Sequence, residues 1–192
     1  MLGCRQTLLA VLTVAIAAVS AAGKSSYQSQ ISRQIERLSS DRTSVRCSAL
    51  RNLSLMRAYR AADRAAGGLS DSDPGVRRHA AMALGRTGGL KHLNALNKAM
   101  SDKDWTVRQT AWISLTNLTG QTFRFDSLAA EATRTQQVET WGKWLRSFRP
   151  DQLSKDFAAM LTAESAWIDK ERLARALGAV GDRQSAAPLL AG

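Results

Sequence analysis

The sequence predicts an all-α protein, an α-solenoid of stacked helical hairpins with a period of 31 residues. A Val-Arg pair recurs at that interval, beginning at Val45, Val76 and Val107. The small residue one turn later and the leucine two turns later keep the same register, at Ala49, Ala80, Ala111, Leu53, Leu84 and Leu115. The chain has only three prolines and no alternating apolar and polar stretch, which argues against β-sheet.

The central copy, Asp71 to Gly85, explains why each unit should begin with a helix. Asp73 can accept hydrogen bonds from the first free backbone N–H groups, and Pro74 suits the first helical position, which needs no donor. Gly85 and the following Gly88-Gly89 are predicted to end the helix. Between them, apolar residues recur at helical spacing. One helix cannot bury such a stripe alone, so neighbouring units must stack.

Residues 1–22 have the features of a secretory signal peptide. Arg5 precedes an apolar run from Thr7 to Val19, and small residues follow it. Cleavage near Ala21 or Ala22 would export the chain to the periplasm or the extracellular space. The alternative is an uncleaved membrane anchor, but the run is shorter than the roughly 20 apolar residues of a span. We therefore expect an exported mature chain without a stable membrane span.

The mature chain is predicted to contain four parts. Residues 23–38 form an N-terminal capping helix, and residues 39–118 form regular repeats with helices at 43–56, 59–69, 74–86, 90–100 and 105–118. Residues 119–150 form a diverged repeat, in which an aromatic loop replaces most of a second helix and a tryptophan-containing first helix follows at 136–148. Residues 151–192 form a further repeat, complete or incomplete. The apolar end of this repeat predicts either that the end docks on a partner or on another copy of the chain, or that the chain is part of a longer array.

The motif Asp-x-Asp-Pro-x-Val-Arg-x-x-Ala-Ala-x-Ala-Leu-Gly, at Asp71 to Gly85, resembles the short HEAT-like repeats also called phycobilisome-lyase-type HEAT repeats. The segment from Glu171 to Leu190, which contains Leu173-Ala174-Arg175-Ala176-Leu177-Gly178, resembles one more copy. A Thr-Gly-Gln-x-Phe loop at Thr119, followed by a Trp-x-x-Trp helix, is similar to a variant in exported bacterial HEAT-repeat proteins. The resemblance implies a right-handed α-solenoid whose ligand surface is lined by the second helices, the usual concave side. It is specific for fold and weak for function.

Arginines recur at one helix position, Arg46, Arg77 and Arg108, so stacking should align them as a ladder along the array. The resemblance implies that they pair with acidic residues of adjacent turns. The expected acidic residues are Asp71, Asp73, Asp102 and Asp104, of which Asp73 and Asp104 are assigned to the ladder with the three arginines. We interpret this set as structural.

The chain is strongly basic, with 27 basic and 16 acidic residues and a net charge of +11. Removal of residues 1–22 takes away only Arg5 and leaves a net charge of +10. Basic residues are concentrated in the first repeat, and the candidate interaction residues there are Arg51, Arg57, Arg60 and Arg64. They form either a solvated face or a binding face for an acidic partner or another polyanion. Nucleic acid is not an expected partner of an exported chain.

Four aromatic residues in the diverged repeat are further candidates, namely Phe123, Phe125, Trp141 and Trp144. They either fill the gap left by the missing second helix or form an aromatic binding platform.

No recognisable catalytic, nucleotide-binding or zinc-binding motif is present. His79, His92 and Cys47 lack zinc-ligand spacing, and Cys47 is the single cysteine of the mature chain, so no internal disulfide can form. We therefore expect no cofactor, and we interpret the protein as a non-enzymatic exported scaffold that binds an unidentified protein partner. A polyanion-binding module is the alternative. The resemblance also implies a less favoured one, a bilin-lyase-like enzyme or its accessory subunit.

Overall fold

A computed structural model of the chain describes residues 26–149, and these residues form an all-helical α-solenoid without a β-strand. The predicted signal peptide and the predicted C-terminal repeat lie outside this range. The α-helices are α1 (26–37), α2 (Thr43–Leu55), α3 (Ala62–Gly67), α4 (Pro74–Thr87), α5 (Leu93–Ala99), α6 (Trp105–Thr119) and α7 (Glu131–Ser147). Within residues 26–149, no helix has both the length and the hydropathy needed to cross a bilayer.

The first helices of consecutive hairpins, α2, α4 and α6, begin 31 residues apart and pack against one another in order. The second helices, α3 and α5, each pack against the first helix that follows, α4 and α6. Short 3-10 turns extend the second helices, at Tyr59–Ala61, Gly68–Ser70 and Leu90–His92. The recurring alanines and leucines of the first helices are buried in the layer between hairpins.

Aspartate caps fix where α4 and α6 begin. Asp73 Oδ1 accepts a hydrogen bond from the Val76 N–H at 3.2 Å. Asp104 Oδ1 accepts from the N–H groups of Thr106 at 2.8 Å and Val107 at 3.3 Å. Helix α6 ends at Gly120, whose φ of 69° is a left-handed conformation that glycine adopts without a steric penalty.

Helix α4 ends at Thr87 and is capped by Gly88, as the Gly88-Gly89 pair predicted, whereas Gly85 lies inside the helix. Gly85 is buried where α4 and α6 approach closely. A Cβ atom added there would lie 2.5 Å from Ser114 Oγ and 3.0 Å from Ser114 Cα. The Ser114 hydroxyl donates to the Ala81 carbonyl of α4 at 2.8 Å, so it links the two helices directly. Gly85 therefore allows close helix packing.

Helix α7 differs from the expected first helix of a new repeat in both start and position. It begins at Glu131 instead of residue 136, and it packs against α5, whereas α4 and α6 each pack against the preceding first helix. A Cβ atom on Gly142 of α7 would lie 3.4 Å from the Asn97 amide nitrogen of α5. Because residues 120–130 contain no helix, the place beside α5 is open to α7.

Candidate functional site

Two arginines of the predicted ladder bind a carboxylate 25 residues further along the chain. Arg46 donates from Nε to Asp71 Oδ2 at 2.8 Å and from Nη2 to Asp71 Oδ1 at 2.9 Å. Arg77 makes the same two bonds to Asp102, at 2.7 and 2.8 Å. The remaining guanidinium nitrogen of each arginine donates to two carbonyls in the turn before its own helix. Each arginine thus connects two consecutive inter-repeat turns.

These hydrogen bonds stabilise the ionised carboxylates. The pKa of Asp71 is lowered, mainly by the hydrogen bond from Arg46. Burial alone would raise the pKa of Asp102, but hydrogen bonds from Arg77 and from the Asp104 N–H outweigh burial and lower it. Asp73 and Asp104 accept no hydrogen bond from a ladder arginine, because their side chains cap α4 and α6. They contribute only their charge, which helps to raise the pKa of Arg46 and Arg77 respectively.

Arg108, the third ladder residue, has no carboxylate partner within residues 26–149. It is 7% exposed and donates from Nε and Nη2 to the Ser127 carbonyl, at 2.9 and 2.6 Å. Burial, and secondarily the charge of Arg134, lowers the pKa of Arg108. The spacing of 25 residues found in the other two pairs would place the partner of Arg108 at Thr133. Thr133 lies inside α7, which does not continue the row of first helices. The regular ladder therefore ends at the third repeat.

The aromatic residues of the diverged segment form one cluster on the main core. Trp141 is fully buried and Phe125 is 6% exposed, and both belong to the core with leucines of α4, α5 and α6. Phe123 lies edge-on to Trp141 and Trp144, with centroid distances of 5.1 and 6.0 Å. Trp112 Nε1 fixes the loop by donating to the Phe123 carbonyl at 3.0 Å. Trp141 and Phe125 therefore pack the core, while Phe123 and Trp144 are half-buried at its edge.

The histidines and the cysteine have structural surroundings. His92 accepts a hydrogen bond at Nδ1 from the Gly89 N–H, so its proton is on Nε2, which lies 3.0 Å from Asp63 Oδ1. His79 Nδ1 lies 2.7 Å from the Gly75 carbonyl. Burial raises the pKa of the Cys47 thiol. Across residues 26–149, no three His, Cys, Asp or Glu side chains form a group that could hold a metal ion.

The four candidate arginines, Arg51, Arg57, Arg60 and Arg64, are exposed, and in the described part of the chain none of their guanidinium groups makes a hydrogen bond or ion pair. Arg51 lies on α2. The other three belong to residues 57–70, which contain α3 and its flanking turns. Together with residues 90–101, which contain α5, this segment forms what we call the second-helix surface. Asp63 joins its two halves through Lys91 and His92.

The second-helix surface is basic. It carries five lysines and arginines, namely Arg57, Arg60, Arg64, Lys91 and Lys98, and all five are exposed. Its single carboxylate, Asp63, is 2.6 Å from Lys91 Nζ and also binds His92. Sequence reasoning identified the three arginines but missed the two lysines. Only the position of α5 beside α3 shows that Lys91 and Lys98 extend the same charged surface.

Arg57 has an unusual backbone conformation for an arginine, with a φ of 49°. It directly follows the last turn of α2, where its N–H donates to the Ser54 carbonyl at 3.2 Å and the Ala58 N–H donates to the Leu53 carbonyl at 3.0 Å. This pattern of hydrogen bonds normally has glycine at the left-handed position. The arginine therefore occupies a place where glycine would be conformationally favoured.

The family model for HEAT repeats matches residues 31–116 and 67–130, which together span more than half of the chain. No curated protein is significantly similar to the sequence. The matched region contains the three first helices, both second helices and the arginine ladder. The chain belongs to the HEAT-repeat family.

Proposed function

We propose that the protein is an exported, non-enzymatic scaffold that binds an acidic surface of a protein partner through its second-helix surface. HEAT repeats commonly serve as protein-interaction scaffolds, and proteins built from them are generally non-enzymatic. The observation that carries the proposal is an exposed group of cations on the two second-helix segments, of which only Lys91 has a carboxylate partner among the described residues. Export rests on the composition of residues 1–22.

The burial pattern supports this choice of surface over the other sequence candidates. The ladder arginines Arg46 and Arg77 use their donors on Asp71, Asp102 and turn carbonyls, so they have a structural role. Trp141 is enclosed in the core. In contrast, Arg57, Arg60 and Arg64 have unused donors, and Arg57 is present where glycine would be less strained. Unpaired guanidinium groups on a rigid scaffold are suited to binding carboxylates, often in a bidentate geometry.

A pull-down from the exported fraction tests the proposal with two variants of equal charge. The first carries Arg57→Gln, Arg60→Gln and Arg64→Gln on the second-helix surface. The control carries Arg78→Gln, Arg86→Gln and Arg124→Gln, which are exposed arginines elsewhere in the described chain. We expect the first variant to lose a protein that the wild type and the control retain. Equal retention by both variants would contradict the proposal.

The same variants test the alternative function, general binding of polyanions, which the net charge of +11 favours. A polyanion-binding protein would be retained on heparin, and its retention would fall steeply with salt. If net charge alone is responsible, both triple variants should elute earlier by the same amount. Earlier elution of only the Arg57, Arg60 and Arg64 variant would instead show a localised anion-binding surface. N-terminal sequencing of secreted material tests export, which an intact Met1 would contradict.

A further inference from the structure

A cavity of about 230 Å³ lies between α1 and α3, beside the second-helix surface. Its apolar wall consists of Ile35 from α1, Leu38 from the turn that follows α1, Leu50 from α2 and Val76 from α4. Leu50 and Val76 are fully buried core residues, so this wall is held in place by the packing of α2 and α4. Arg64 of α3 also lines the cavity.

Gly67 of α3 also lines the cavity, and packing does not explain the glycine. A Cβ atom added at Gly67 would meet no atom within 4 Å, and its φ of −56° is helical, so other residues would fit there. Glycine in a helical conformation is less stable than alanine. The neighbouring Gly68 is different, because a Cβ there would lie 2.9 Å from the Ala80 Cβ of α4. At the positions one repeat later, the chain has Lys98 and Ala99.

Among the described residues that line the cavity, one cation is free of a partner. Arg46 also lines the cavity, but its donors are used by Asp71 and by the carbonyls of Ser40 and Asp41. Asp71 is likewise occupied, by Arg46 and by the Asp73 N–H. Within the described residues, Arg64 makes no ion pair or hydrogen bond. A ligand carboxylate at the cavity can therefore bind Arg64 without breaking an existing pair.

We propose that the cavity takes one aliphatic side chain of leucine or isoleucine size from an acidic segment of the protein partner, with a neighbouring carboxylate bound to Arg64. This inference rests on the proposed function and names the sequence feature that the scaffold recognises. The volume is below the roughly 300 Å³ at which small-molecule pockets begin, which favours a single side chain. The apolar wall favours an aliphatic side chain, while Arg64 and the other cations of the second-helix surface favour acidic residues beside it.

The test uses two labelled acidic peptides that differ only at the centre, where one has leucine and the other alanine between pairs of aspartates. Fluorescence anisotropy at low salt measures the binding of each peptide to the full chain. We expect the leucine peptide to bind about tenfold more tightly, because the cavity buries the additional apolar surface. Gly67→Leu should fill the cavity and remove this preference while the affinity for the alanine peptide stays the same. Gly67→Ala should reduce the preference partially, with little effect on folding.

Arg64→Gln should weaken binding of the leucine peptide about tenfold, through loss of a charge-assisted hydrogen bond. The matched control, Arg60→Gln, removes the same charge from a position that does not line the cavity. It should weaken both peptides equally and leave the preference intact. Equal affinity of the wild type for the two peptides, or a preference that survives Gly67→Leu, would overturn the cavity assignment and leave the proposed function standing. Failure of both peptides to bind the wild type would overturn both.

Discussion

Asp102→Asn should destabilise the protein far more than the loss of an exposed ion pair of similar length. Arg77 Nε and Asp102 Oδ2 are 2.7 Å apart, and their side chains are 7% and 13% exposed. Lys91 Nζ and Asp63 Oδ2 are 2.6 Å apart, but their side chains are 67% and 66% exposed. Removing one partner of a buried pair leaves the other charge without compensation, whereas water solvates the charge that remains when an exposed pair is broken.

The expected loss for Asp102→Asn is about 3 kcal/mol of unfolding free energy, since both bonds from Arg77 lose their charge assistance in a poorly hydrated site. For a chain of this size, that corresponds to a fall in Tm of about 6–12 °C. Differential scanning calorimetry of Asp102→Asn and of the control Lys91→Gln measures the contrast. Lys91→Gln should leave Tm unchanged within error.

A double-mutant cycle identifies the pair as the cause. Arg77→Met combined with Asp102→Asn should be less destabilising than the sum of the two single variants, with a coupling energy of about 2 kcal/mol. Equal Tm values for Asp102→Asn and Lys91→Gln, or additive effects in the cycle, would refute the conclusion that the ladder holds adjacent repeats together.

Three other changes test the packing and the ladder. The pKa values of Asp71 and Asp102 are lower in the folded chain than in the unfolded one, so their stabilising effect is present above about pH 4 and disappears as the pH falls through the folded pKa. Measurement of the unfolding free energy as a function of pH tests this. A stability that does not change in acid would contradict it. Gly85→Ala should cost about 1–3 kcal/mol by urea unfolding, because its Cβ would overlap Ser114. Trp141→Ala should cost about 3–5 kcal/mol by the same assay, and a folded, equally stable variant would contradict its place in the core.

The sequence predicted the repeat core well because packing between repeats leaves a periodic signal. Ala49, Ala80 and Ala111 keep the 31-residue register in the sequence, and all three are fully buried. Register alone predicted that the arginines align along the array, and the resemblance to HEAT-like repeats implied their acidic partners, which the structure shows for Arg46 and Arg77. These features depend on interactions that recur in each repeat, so the same residue pattern occurs several times within one sequence.

Features that break the repeat could not be predicted in the same way. Gly85 resembles a helix stop in sequence, and only the position of Ser114 on α6 shows that it is a packing residue. The start of α7 was placed too late because residues 131–137 are mostly polar and lack the apolar periodicity from which the helix was predicted. The lack of a carboxylate beside Arg108 follows from the position of α7, which the sequence does not specify.

The candidate site was partly visible in the sequence. The cluster of arginines in the first repeat indicated Arg57, Arg60 and Arg64, since a local excess of basic residues is visible in the sequence. The cavity next to Arg64 was not visible in the sequence, because it depends on open space at Gly67 and on walls from other helices. A glycine that permits close packing, such as Gly68, and a glycine with open space around it, such as Gly67, are identical in sequence.

The most direct test of the account is NMR chemical-shift mapping of the full chain during titration with the acidic leucine peptide. We expect shift changes concentrated in residues 57–70 and 90–101 and at Ile35 and Leu38, and we expect these changes to be lost when Arg57, Arg60 and Arg64 are replaced by glutamine. Shift changes centred on Arg78 and Arg86 of α4, or spread evenly over all exposed arginines, would contradict the claim that the second-helix surface is the binding site.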